Sequence, residues 1–280
     1  MHFQSSRSFI LQFGLTQSCG RSRNYQTTQE KMILYVNSDS HTAGAEVVNG
    51  HAFAADDPQY LHLGRLPHPA NLAHTWGKLL SLALNAGFHC DAESASSNTR
   101  ILRTTRDWLS KNKNSEKLVV IQWSTWEREE WLIDDVYYQV NGSGIDRVPP
   151  AYREKYKNYI ADIDWNQKTI DAHNDIWDLH QELLNQEIPH IFFNGNTDFS
   201  IVGNAQYEGI PGKRASMAGE IKKDWGTSYL GPYDPAMTYN AQIRAAGIET
   251  VSPKSWHFGK DGQAWWSRYM LDYIIKHKFV

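Results

Sequence analysis

The sequence predicts a three-layer α/β/α domain with a mainly parallel central sheet over residues 32–280. Three observations carry that expectation. Short apolar, β-branched runs, "ILYV" at 33–36, "KLVVIQW" at 117–123 and "PHIFF" at 189–193, alternate with segments of helical spacing. Strands joined through helices need crossover connections, which give parallel sheets covered on both faces. Finally, three strand ends are polar, in "NSDSH", "ESASSN" and "STWERE". Open α/β sheets bind their ligands beyond the carboxyl ends of the strands.

Each element has a local reason. After the first strand a Gly-, His- and Pro-rich connection runs to about Pro69. Leu72, Trp76, Leu79, Leu80, Leu82 and Leu84 then recur at three-and-four spacing, and Gly87 stops that helix. "FHCDAES" reads as a short strand. In "SSNTRILRTTRDWLSKN", Ser and Asn supply caps, while Ile101, Leu102, Thr105, Trp108 and Leu109 form one stripe. "KLVVIQW" has the composition of a strand buried on both faces. Residues 133–165, with Asn141-Gly142-Ser143-Gly144 and Pro149-Pro150, read as an inserted loop plus a short helix. "NQKTIDAHNDIWDLHQELLNQ" is a helix in which His173 and His180 share a face, read as a surface stripe. The six glycines of 199–238 suggest a second, loop-rich insertion of the kind that forms lids over a site. "TYNAQIRAAG", a strand-like "IETVS" and a final helix "DGQAWWSRYMLDYIIKH" complete the chain.

Composition narrows the function. A net charge of −3 and no Lys/Arg run argue against nucleic-acid binding, and no apolar run approaches the roughly 20 residues of a bilayer span. Two cysteines, Cys19 and Cys90, make no disulfide framework. His62, His68 and His74 lack a Cys or carboxylate partner pattern, so neither a metal nor another cofactor is expected. "NSDSHTAG" is neither a dinucleotide fingerprint nor a phosphate loop. The first 31 residues hold three arginines, many Ser, Gln and Thr, and no acid before Glu30. Their composition suits a weak secretory signal, a transit peptide, or sequence upstream of a start at Met32. The reading adopted is a disordered or non-native extension, excluded from the fold.

A serine nucleophile needs a base within hydrogen-bond reach and donors for the developing oxyanion. The chain offers Ser38 or Ser40 after the first strand and His257 in "SPKSWHFGKDGQAWW". This order resembles the SGNH (GDSL-type) hydrolase superfamily, in which a Ser follows the first strand and a His precedes the last helix. "SDSHT" takes the place of the G-D-S block, "AESASSNTRI" the second block and "VVIQWSTWERE" the third. Over residues 32–280 the pattern is also similar to phage-encoded members of that family, which would place the protein in a host cytoplasm. The resemblance implies a flavodoxin-like sheet order, Ser40 as nucleophile and His257 as base. It also implies an oxyanion hole from the amides of Ser40 and Ala95. The chain departs from the family pattern at four places. Ser38 and Ala95 replace glycines, the third block has no Asn, and Lys254 stands where an Asp would precede the His by three. Ser124, Thr125 or Asn98 would then supply the side-chain donor, and Asp261, Ser252 or a backbone carbonyl would orient His257.

Asp39, His41, Arg128 and Trp126 complete the candidate set as substrate-binding residues, with Trp123 and Trp131 further surfaces on which a sugar could stack. The expected activity is hydrolysis of an acyl ester of a small molecule or carbohydrate by a Ser-His dyad. The competing expectation is a non-catalytic carbohydrate-binding or virion-associated module that kept the sheet. Oligomeric state is not legible in the sequence.

Overall fold

The computed structural model describes residues 32–48, 67, 69–142, 144–200, 202, 207–210, 213–215 and 221–280. The expectations placed on residues 1–31, and on His62 and His68, lie outside the described residues.

Five strands form the central sheet: β1 (Ile33–Asn37), β2 (Gly87–Cys90), β3 (Lys117–Trp123), β6 (His190–Asn194) and β9 (Tyr229–Leu230). Their order is β2-β1-β3-β6-β9 and every pairing is parallel, with Ile33 opposite both Gly87 and Lys117. The two-residue period of the strands sorts the core into two layers. Tyr35, Val119, Ile121, Trp123 and Phe192 face one side, where they meet Ile101, Trp108, Ile176 and Leu179. Those residues belong to α4 (Asn98–Lys111) and α6 (Trp165–Asn185). Leu34, Val36, Leu118, Val120, Ile191 and Phe193 face the other side, against Trp76, Leu80, Ile243, Trp266 and Met270. These come from α3 (Trp76–Ala83), α7 (Tyr239–Ala245) and α8 (Lys260–His277). The three-layer architecture follows directly. All seven residues of β3 are buried, as its composition requires, and burying each large side chain contributes roughly 1.5–3 kcal/mol.

Some local expectations need correction. The helix expected around residues 72–84 is two helices, α2 (Pro69–Leu72) and α3, because Thr75 turns extended and caps Lys78 N through its own Oγ1 at 3.3 Å. Within 133–165, β4 (Glu129–Ile133) and β5 (Val136–Val140) make an antiparallel hairpin ahead of α5 (Arg153–Ala161). Asp134 and Asp135, both at positive φ, form its tight turn. A small core of Trp131, Val140, Val148 and Tyr156 lies beneath it. Within 199–238, Tyr229–Leu230 joins the main sheet, beyond the short hairpin of β7 (Tyr207–Ile210) and β8 (Lys213–Ala215). "IETVS" makes only an isolated bridge, Thr250 to Phe258. His173 and His180 are buried rather than a surface stripe: His173 Nε2 meets the Tyr233 hydroxyl at 2.8 Å and His180 Nδ1 meets His190 Nε2 at 2.7 Å. Among the described residues no helix is long and apolar enough to cross a membrane, and no cluster of His, Cys, Asp or Glu is placed to hold a metal.

Candidate active site

The chain passes from β1 to β2 on one side and then crosses back to β3 on the other, so strand order reverses between β1 and β3 and the loops after those strands flank a switch point. Ser40 opens the short helix α1 (Ser40–Ala43), whose N-cap Asp39 accepts from His41 N at 3.2 Å. Gly44 ends it at φ +77, where a Cβ would come within 2.6 Å of Thr75 Cγ2. Only glycine fits that turn. Glu46 follows at φ +63, and this second left-handed residue folds its side chain back toward the start of the helix.

The result is a chain of three side chains. His257 Nε2 lies 2.8 Å from Ser40 Oγ, and His257 Nδ1 lies 2.7 Å from Glu46 Oε2. Glu46 is 4% exposed and also receives a short hydrogen bond from the Ser255 hydroxyl, which in turn accepts from His257 N at 2.9 Å. A carboxylate on Nδ1 keeps the proton there and leaves Nε2 free to accept from the serine. The expected Asp261 instead stands exposed in the first turn of α8.

Asp39 has a different environment. Its buried carboxylate accepts from Ser124 Oγ at 2.9 Å, from Gln122 Nε2 at 3.3 Å and from Arg128 at 3.1 Å. Gln122 Oε1 accepts from Thr42, which accepts from Trp76 Nε1. Burial alone would push the Asp39 carboxyl up. His41, Arg128 and the hydrogen bonds from His41 N and Ser124 outweigh it and hold the group below its ordinary value. Arg128 also donates to Ser124 Oγ at 2.9 Å and reaches toward the Ser96 carbonyl. This network ties together the ends of β1, β2 and β3.

A cleft of about 740 Å³ opens over Ser40 and His257. Along one wall, Arg244 Nε, which can only donate, bonds Asn240 Oδ1 at 2.9 Å. Asn240 Nδ2 must then donate to Asn196 Oδ1 at 2.5 Å, leaving Asn196 Nδ2 to face His41 Nε2 at 3.4 Å. This order makes His41 Nε2 an acceptor and puts the ring proton on Nδ1. Burial, only partly opposed by the Asp39 carboxylate, pushes the His41 imidazole down to about 4, so it stays neutral near pH 7.

Of the sequence candidates, Ser40, His257, His41, Ala95 and Arg128 line this cleft. Ala95 sits at φ +67, a conformation usually left to glycine that strains an L-residue by about 1–2 kcal/mol. Among the described residues, neither its amide nor that of Ser40 is engaged by a hydrogen bond. Asn98 and Ser124 are occupied elsewhere. The Asn98 side chain grips the Ser124 backbone on both sides, donating to its carbonyl at 3.1 Å and accepting its N–H at 2.9 Å. Trp126 is buried, stacked on Phe199 at 4.5 Å, and Trp123 and Trp131 are buried too. The exposed tryptophan on the cleft is Trp256, 70% exposed. Sequence reasoning missed Glu46, Asn196, Arg244 and Trp256.

Comparison with known proteins gives three kinds of result. A family of unknown function, DUF6071, matches residues 67–188. No curated protein sequence matches the chain. Among solved structures, the chain is similar to the esterase EstA of a psychrotrophic Pseudoalteromonas sp. inhibited by monoethylphosphonate. Identity there is 11% and the TM-score 0.41, over 87% of this chain and 97% of that one. It is also similar to a carbohydrate esterase whose site is described as having divergent catalytic and non-catalytic binding functions (12% identity, TM-score 0.43, 89% and 70% covered). A third likeness is to a protein of the G-D-S-L family, named as lipolytic, from Desulfitobacterium hafniense DCB-2 (11% identity, TM-score 0.31, 87% and 99% covered).

Proposed function

We propose that this protein is a serine hydrolase of the SGNH type that cleaves acyl esters, with Ser40 as nucleophile, His257 as general base and Glu46 as the residue that orients it. One observation carries the reading: the continuous contact from Ser40 Oγ through both nitrogens of His257 to the buried Glu46 carboxylate. Neither a core nor a binding surface gains from such an alignment, whereas nucleophilic catalysis requires it. Ser40 Oγ attacks the acyl carbon as its proton passes to His257 Nε2. The tetrahedral oxyanion rests against the amides of Ser40 and Ala95. His257 returns the proton to the departing alkoxide, leaving the acyl group on Ser40. A water then attacks the acyl-enzyme, giving its proton to Nε2, and the carboxylic acid leaves as Ser40 recovers the proton. In this reading the amides of Ser40 and Ala95 carry the oxyanion without a third-block Asn. Asn98 and Ser124 are engaged elsewhere.

Residues 32–280 act as one domain in this reading, with acyl esters of small molecules or carbohydrates as substrates. The test is hydrolysis of an activated acetate such as p-nitrophenyl acetate. Wild type should turn over, and Ser40→Ala should fall to background with an unchanged circular dichroism spectrum. A wild type with no activity on a panel of short-chain esters would favour the carbohydrate-binding module instead.

A further inference from the structure

The hydrogen-bonded wall of the cleft ends one ring away from the proposed base. Arg244 Nε donates to Asn240 Oδ1 at 2.9 Å, Asn240 Nδ2 donates to Asn196 Oδ1 at 2.5 Å, and Asn196 Nδ2 faces His41 Nε2 at 3.4 Å. Each direction is forced by the one before it, because an arginine nitrogen cannot accept. The His41 ring, 3% exposed, stands with its centroid 5.1 Å from that of His257, the two planes crossing at 61°.

Which nitrogen of an imidazole carries the proton is set by the bond that the other one makes. His41 Nδ1 is buried and meets no hydrogen-bond partner among the described residues. The amide of Asn196 therefore decides the tautomer by itself, and it puts the proton on a nitrogen that has nothing to donate to. A buried N–H left unpaired costs free energy, and in a native site it calls for a reason. The neighbouring ring supplies one. In the proposed mechanism His257 becomes an imidazolium during acyl transfer. The ionisable groups around His41 are Asp39, His257, Arg128 and Glu46, with the Tyr239 ring 5.3 Å away. Asp39 is bound to Gln122, Ser124 and Arg128, and Glu46 to His257. A second cation on His41 would weaken His257 as a base by about a hundredfold at an effective dielectric constant of about 20.

From this arrangement we infer that Asn196 is a positioning residue of the hydrolase: it holds His41 in the Nδ1–H form, so that the ring beside His257 stays uncharged while His257 takes the serine proton. Asn240 and Arg244 fix the Asn196 amide in the orientation this requires. The inference deepens the hydrolase reading and rests on it for the proton that reaches His257, but the tautomer of His41 is a property of the resting protein and can be measured apart from turnover.

The experiment records nitrogen–proton correlation spectra of the imidazoles in the full-length protein, labelled in histidine, at pH 7. His41 is assigned by the signals lost in His41→Gln. Wild type should show a proton on His41 Nδ1 and none on Nε2. Asn196→Asp puts a carboxylate oxygen where the donor stood, and His41 should then carry protons on both nitrogens. On p-nitrophenyl acetate the same substitution should lower kcat by about ten- to a hundredfold and leave KM within about twofold, with the melting temperature as the check on folding. In a His41→Gln background, whose side chain takes no charge, Asn196→Asp should cost less than about threefold. A wild-type His41 with its proton on Nε2 overturns the inference without any variant, and so does an equal fall of kcat in the two backgrounds. A wild type that has the Nδ1–H form yet turns over no ester brings down the hydrolase reading, and with it the role at His257, while the tautomer assignment stands.

Discussion

Asp39 and Glu46 lie seven positions apart after the same strand, both buried, and their surroundings give them opposite work. Asp39 caps α1 and gathers hydrogen bonds from Gln122, Ser124 and Arg128, so its charge is spent joining three strand ends. Glu46 meets a hydroxyl and an imidazole, and the imidazole touches Ser40. The difference teaches that the neighbours of a buried carboxylate, more than its burial, decide what it can do: Asp39 ties strand ends together, and Glu46 is left to the orienting role proposed for it. An acid matched by a guanidinium is a fixed strut, while one matched by a histidine can stabilise a proton that comes and goes.

That contrast is open to test. The largest effect should come from Glu46→Gln, which keeps the shape but removes the charge that holds the His257 tautomer. The kcat on an activated acetate should drop by about 10²–10⁴, with little change in melting temperature. Asp39→Asn should reverse the pattern. Leaving Arg128 without its carboxylate should cost about 1–3 kcal/mol, read as a lower urea midpoint, and kcat should fall less than in Glu46→Gln. Equal effects of the two substitutions on both readouts would erase the distinction.

A smaller effect should appear with pH. His41 has a folded value of about 4 against an unfolded value of about 6.5. Between those values the unfolded chain holds a proton that the folded chain does not. Stability from this group is therefore complete above about pH 6.5 and declines as pH falls toward 4, by at most about 1.4 kcal/mol per pH unit. Urea midpoints at pH 7 and 4.5 should drop more in wild type than in His41→Gln. An equal drop in both would mean that His41 is not held neutral beside Asp39.

Much of this molecule was legible in its residues. The parallel sheet followed from alternating apolar runs and helical stripes, and "KLVVIQW" proved buried throughout. Ser40 and His257, 217 positions apart, were singled out by their order along the chain and meet at 2.8 Å. The rest depended on geometry that spacing does not encode. Glu46 reaches His257 only because Gly44 and Glu46 itself take left-handed conformations, and a Gly-rich connection gave no sign of that. Asn196 and Arg244 come from different elements joined through Asn240. The buried pair His180 and His190 was hidden because one helix face says nothing about the strand packed against it. Trp126 and Trp256 look alike as letters. Only the fold shows one stacked on Phe199 and the other at the cleft.

The most direct measurement of the central claim is covalent labelling by a fluorophosphonate, followed by intact mass and peptide mapping. The account predicts one adduct on wild type, located at Ser40, lost in Ser40→Ala and formed much more slowly in His257→Ala and Glu46→Gln. An unlabelled wild type, or an adduct on any serine other than Ser40, would contradict it.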